Sequence, residues 1–342
     1  MLQGVDVDAT VTSLESRTRR TAAPADATAE YHALLQRLSE ASVDKHFQAF
    51  KDIPWDSPEF AVDPDDTCFV LGEVDEIGAH PWYQSLPLER QIEIGRYRYA
   101  QVAKVGLQFE QLLIAGVMNH LVWARNGDPA FRYAMHEVTE ETHHIQMFQE
   151  GVNRLGADAA GAPAYFKVLF PVLSSAGAWW PALFFTGILA GEEPIDHLQK
   201  SIMRHGGSHP MVDRIMQIHI AEEARHISFA HEWLKHELPK MGPIQRTAFA
   251  ALFPVVMRVL CDVIMVPSRQ ARRDMGIPRS VAREIWWSSE PSGRLLREMF
   301  GDVRMLADEL AIRGPVMKRL WRLMGIDGRP SRFRAEPSRL SA

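Results

Sequence analysis

Five stretches of the chain, roughly 87 to 126, 129 to 155, 176 to 205, 208 to 238 and 243 to 266, carry their apolar residues at a spacing of about 3.6. Each is too long for a strand, and the segments between them (RNGDPA, LGADAAGAPA, HGGSHP) are rich in Gly, Pro and Asp, which interrupt helices. No alternation of apolar and polar residues runs long enough to anchor a sheet. The fold class is therefore all-α, a bundle of four or more long helices. Helical spacing also marks 31 to 50, shorter helices fill 279 to 325, and the Pro- and Asp-rich stretch from 51 to 87 reads as mainly loop. One domain over 31–325 is expected between a polar, flexible N-terminal arm (1–30) and a flexible basic tail (326–342).

Several function classes are excluded early. A formal net charge of −5, with no long run of one sign, gives no general attraction to nucleic acid or anionic membrane. Two cysteines, Cys68 and Cys261, lie far apart in apolar surroundings, which suits a reducing cytoplasm and argues against a disulfide framework. The N-terminus shows neither a basic start with an apolar run nor a small-residue cleavage pattern. Val168 to Gly191 holds 24 residues without a charge, long enough to span a bilayer. Its prolines and glycines, and Glu192 and Glu193 directly after it, point instead to a helix buried on all sides in a large helical protein.

Against this apolar background, residues 219 to 231, HIAEEARHISFAH, place three histidines and two glutamates in thirteen positions. On a helix His219, Glu223 and His226 fall at about 0°, 40° and −20°, one inward stripe, with Glu222 about 60° to one side and His231 about 120° round. A second copy lies upstream. MHEVTEETHHIQMF matches IHIAEEARHISF, placing Glu141 opposite Glu223, His144 opposite His226, and Glu137 where the later copy has His219. With 24 glutamates and 14 histidines, about one E-x-x-H is expected by chance, so a lone match means little. Two copies with matching flanks, each on a long helix, are harder to dismiss.

The rest of a two-metal site would be one carboxylate from each of two further helices. Glu110 is the sole acid in VGLQFEQLLIAGVMNHL, and Glu192 stands in FFTGILAGEEPIDHL. Taken singly, Glu110 reads as a rim residue, Glu192 and Glu193 as a solvated turn, and His219 as a hydrogen-bonded core histidine. Taken together they would leave several unpaired charges in an apolar interior, each costing several kcal/mol, which metal binding removes. Four carboxylates balance two divalent ions, and mixed oxygen and imidazole donors suit iron, with manganese as a substitute, better than structural zinc. HEWLKHE, residues 231 to 237, imitates a zinc-protease signature, but its histidines are five apart, about 140° round the helix.

These motifs, F-E-Q at Glu110, E-E-T-H-H at Glu141 and His144, G-E-E at Glu192 and H-I-A-E-E-A-R-H at His219, Glu223 and His226, resemble those of the p-aminobenzoate N-oxygenase family of nonhaem diiron arylamine oxygenases. The third histidine, His219, is the most specific feature, and the resemblance covers roughly residues 30 to 320. It implies a ferritin-like bundle with additional helices, dimeric, holding two iron ions. Such an enzyme uses O2 and an external electron donor to take a small aryl amine through hydroxylamine and nitroso stages towards a nitro group.

Alternatives stay open in the residues. E-E-T-H-H permits Glu140 with His143 as a shifted pair, Glu193 can replace Glu192, and Glu137 fits either beside the metals or on the surface. The aromatic run AWWPALFF (178 to 185) serves either a substrate cavity or core packing. A diiron protein oxidising a C–H bond, and a ferritin-like metal-handling or oxidative-stress protein without an organic substrate, are the competing functions. A radical-generating subunit would need a redox residue that the sequence does not place.

Overall fold

The computed structural model describes residues 24–336, and among them every regular element is a helix. The longer helices are α1 (Pro24–Asp44), α2 (Leu88–Leu121), α3 (Pro129–Leu155), α4 (Ala164–Trp179), α5 (Pro181–His205), α6 (Pro210–Glu237), α7 (Pro243–Met265), α8 (Glu290–Met299), α9 (Gly301–Glu309) and α10 (Pro315–Leu323). Proline at the first turn starts α3, α5, α6, α7 and α10, where its missing N–H leaves no helix bond unmade. Asp128 caps α3 by accepting from the Ala130 N–H, and Gly156 ends it in the left-handed conformation at φ 63°. The predicted loop of 51 to 87 contains only single turns, at Pro58–Phe60, Thr67–Phe69 and Pro81–Gln84.

The bundle is built from two helix pairs, α2 with α3 and α5 with α6, with α3 meeting α6 across the centre. Helix α1 lies over α3 and α6, α4 covers α2, and α7 covers α5. Two glycines let α2 approach its neighbours closely: a Cβ at Gly177 of α4 would stand 2.0 Å from the Gly116 carbonyl oxygen, and one at Gly116 would strike the Phe184 ring of α5.

Three expectations change. The uncharged stretch from 168 to 191 is divided at Trp180, whose φ of −147° separates α4 from α5. Only the α5 half is buried; α4 turns Val168, Val172 and Trp179 outward, so the stretch is not a helix enclosed on all sides. Among the described residues Pro243–Asp274 is the one segment long and apolar enough to cross a membrane, and half of its most apolar 18-residue window is buried inside the protein. At the ends, residues 1–23 of the expected arm lie outside the described residues, while 24–30 already belong to α1. The tail is pinned as far as 336. Arg304 donates to the Ile326 and Arg329 carbonyls, and the Ser331 N–H donates to the Gly301 carbonyl.

Candidate metal centre

The seven side chains singled out on the sequence meet in the middle of the bundle. Glu110 comes from α2, Glu141 and His144 from α3, Glu192 from α5, and His219, Glu223 and His226 from α6. They form three overlapping groups, Glu110–His144–His219, Glu141–Glu223–His226 and Glu192–His219–Glu223, in each of which the donor atoms lie within 4.8 Å of one another. All seven are buried.

The centre has an approximate two-fold arrangement, which follows from the repeated motif on α3 and α6. His144 turns Nδ1 inward, 3.1 Å from Glu141 and 3.3 Å from Glu223. His226 does the same, 3.0 Å from Glu141 and 3.2 Å from Glu223. The outer nitrogens are held by the first glutamate of the opposite motif: Glu222 lies 2.8 Å from His144 Nε2, and Glu140 lies 2.7 Å from His226 Nε2. His219 breaks the symmetry. Its inner nitrogen is Nε2, 3.2 Å from Glu110 and 3.6 Å from Glu223, while Nδ1 meets the Gln199 side-chain oxygen at 3.0 Å.

This geometry separates the sequence alternatives. Glu140 is engaged with the outer Nε2 of His226 and with Arg225 rather than with the inner donor atoms, and His143 is half-buried beside the Ala49 N–H, so Glu141 and His144 are the pair that converges. Glu193 turns away from the centre to His231, 2.7 Å distant, which leaves Glu192 facing it and puts His231 outside. Glu137 is fully buried, with neither carboxylate oxygen hydrogen-bonded, and is thus no surface residue. The sequence reading missed the parts played by Glu140 and Gln199 and took Glu222 only as a flank. Both motifs carry a Glu-Glu doublet, and Gln199, seven residues after Glu192, falls about 20° from it on the helix, so the signals were present.

Electrostatics show what the cluster lacks. Burial raises the Glu110 carboxyl well above its ordinary range, and the Glu141 charge adds to the rise. Glu192 is raised likewise, by burial and then by Glu223. Burial alone would lower His144 and His226, but the surrounding carboxylates outweigh it and raise both, whereas burial dominates at His219 and lowers it to about 4. Glu110 Oε2 and Glu223 Oε2 are buried without a hydrogen-bond partner. Unpaired carboxylate oxygens at the meeting point of four carboxylates and three imidazoles call for cations, and this donor set fits two divalent transition-metal ions.

Beside Glu110, Glu192 and His219 opens a cavity of about 290 Å³. Its α2 wall is made by Val102, Ala103, Gly106 and Phe109, small or apolar residues that leave the space. The aromatic run is elsewhere. Phe185 stacks on Trp233 in the core, and Trp179, Leu183 and Phe184 line a separate cavity of about 220 Å³ between α4, α5 and α7 that also reaches Glu192.

Residues 28–311 match the family model of p-aminobenzoate N-oxygenase AurF. An uncharacterized protein of Mycobacterium tuberculosis (strain CDC 1551 / Oshkosh) is 49% identical over 329 residues, 96% of each chain. An uncharacterized protein of Mycobacterium bovis is 48% identical over the same length and share. No solved structure matches.

Proposed function

The chain belongs to the p-aminobenzoate N-oxygenase AurF family, and from that premise we propose that it is a dinuclear nonhaem iron oxygenase. Its substrate on this reading is an aryl amine, oxidised with O2 to the hydroxylamine, nitroso and nitro levels. The observation that supports the reading best is the convergence of Glu110, Glu141, His144, Glu192, His219, Glu223 and His226 on one buried, cation-deficient point next to an apolar cavity. A metal-storage role would leave that cavity without a use. Manganese suits the same donors, but iron suits oxygen activation.

When bound, the two irons supply the capacity to bind and reduce dioxygen, which no side chain here possesses. The protein's own contribution begins with charge, four carboxylates to match two divalent ions in a dry interior. It continues with tautomer control. Carboxylates at the outer Nε2 atoms of His144 and His226 keep the proton there and leave each Nδ1 lone pair facing inward. The Gln199 oxygen holds the His219 proton on Nδ1 and frees Nε2 for the centre. Glu110, Glu192 and His219 line the cavity while the other four do not, so an amine entering it approaches the centre on the side of these three. The apolar walls keep bulk water from the reacting nitrogen.

The reading includes a cytoplasmic location, an external electron donor and a homodimer. It is supported by the free thiols of Cys68 and Cys261 and by the exposed Val168, Val172 and Trp179 of α4, an apolar surface suited to a second copy. Anaerobic iron loading with metal analysis, then exposure to O2 with a panel of aryl amines and mass spectrometry of products, tests the proposal. About two irons per chain and oxygenated nitrogen are expected. Less than one iron per chain overturns the dinuclear centre, and full loading without oxidation of any amine overturns the N-oxygenase activity.

A further inference from the structure

The cavity beside the candidate centre is long as well as apolar. Arg98 and Glu110 both line it from α2, and twelve residues of helix separate them by about 18 Å along the axis, well beyond the length of one benzene ring. Between them the wall is Val102, Ala103, Gly106 and Phe109, faced by Phe148 and Ile195. Among the described residues Arg98 is the only lysine or arginine that lines it, and its charge is already matched. Its Nε donates to Asp75 at 3.1 Å, one terminal nitrogen to Gln101 at 2.7 Å, and the other to the Met265 carbonyl at 3.1 Å. Asp75, Glu110 and Glu192 also line the space, with His205 at its exposed rim, so carboxylates outnumber the one guanidinium. At the Arg98 end the Tyr99 hydroxyl feels the same balance: burial first, then the charges of Asp75 and Asp213, keep it protonated.

We propose that this cavity selects an uncharged, elongated aryl amine, an aniline bearing an apolar substituent para to the nitrogen, and discriminates against aryl amines that carry a carboxylate. A carboxylate at the end away from the amine would lose its hydration without gaining a free guanidinium, and it would face Asp75 there. A neutral aniline loses little on entry and fills the apolar length behind its nitrogen. The inference names the substrate class for the amine-oxidising reading and rests on it.

Calorimetric titration of the iron-loaded protein without O2 separates binding from turnover. The probes are 4-butylaniline and 4-(4-aminophenyl)butanoate, similar in length and differing in the carboxylate. The neutral compound is expected to bind at least about tenfold more tightly, a gap set by the desolvation of the carboxylate. Equal affinity, or preference for the carboxylate, overturns the proposal even if amines are oxidised. Tight 4-butylaniline binding with no oxidation after O2 is admitted leaves the selectivity standing and removes the N-oxygenase reading instead. Val102→Phe, checked by thermal unfolding, is expected to weaken 4-butylaniline about tenfold by filling the middle of the cavity; unchanged binding in the folded variant would show that the ligand lies elsewhere. Asp75→Asn, which removes the charge opposing Arg98, is expected to improve binding of the carboxylate several-fold relative to the aniline, and no relative gain counts against the electrostatic basis.

Discussion

Glu222 on α6 accepts at 2.8 Å from the outer nitrogen of His144 on α3, so each half of the repeated motif orients the histidine of the other; Glu140 does the same for His226. Glu222 is itself fixed by the Phe47 backbone N–H at 2.9 Å. A carboxylate in this position sets the tautomer and ring angle of a metal-binding imidazole, and its loss commonly weakens metal by 10- to 100-fold. Glu222→Ala and Glu140→Ala are expected to weaken iron or cobalt binding by about that range, read by competition with a chelator. Glu222→Gln keeps an accepting oxygen and should fall between wild type and alanine. An unaltered affinity in both alanine variants removes the orienting role.

His219 differs from the other two histidines in both its inward nitrogen and its outer partner, Gln199. Its Nε2 belongs to two of the three donor groups, between Glu110 and Glu223, and offers the centre a single lone pair. His219→Ala is expected to lower metal content from about two ions per chain towards one while the helical circular dichroism signal stays unchanged. Gln199→Leu should retain both ions with affinity reduced about tenfold, because only the support of the ring is lost. Full content and affinity in His219→Ala would refute a ligand role.

The helix crossing at Gly116 and Gly177 is tested by packing rather than metal. Any side chain at 177 meets the Gly116 carbonyl oxygen, which is backbone and cannot rotate away. Gly177→Ala should therefore force α4 off α2 and cost about 1–3 kcal/mol, measured as a lowered denaturant midpoint. A midpoint equal to wild type would mean that α4 shifts freely on its neighbours.

Most of the bundle was legible because long 3.6-residue periodicity and proline or glycine punctuation both come from local chemistry. The boundaries of α3, α6 and α7 fall within about two residues of those read from the sequence. The division at Trp180 was less visible: neighbouring apolar residues hide a break when neither side is charged, and the exposure of α4 depends on what packs over it. Helix angles were enough to put each E-x-x-H pair on one face of its helix, while the meeting of the two faces is a tertiary contact of α3 with α6. Which glutamate of each doublet faces inward was decided by neighbouring helices, since adjacent residues differ by about 100° and both are buried here. The outer contacts to Glu140 and Glu222 cross between α3 and α6, and pattern within one helix carries no record of such a crossing.

Glu192 sets stability against function in one residue. Its carboxyl is raised by burial and then by Glu223, so near neutral pH taking it into the metal-free interior costs stability, because the group must bind a proton there that it does not bind when unfolded. Glu192→Gln should leave the metal-free protein at least as stable as wild type, with a melting temperature higher by about 2 °C or more. The same substitution should sharply reduce the rise in melting temperature that iron gives wild type, since ligands that bind only the folded state stabilise in proportion to affinity. Chelator treatment of loaded wild type reverses its rise, whereas the variant has little to lose. A metal-free variant less stable than wild type, or a thermal response to iron equal to that of wild type, would show that Glu192 serves packing and not the metals.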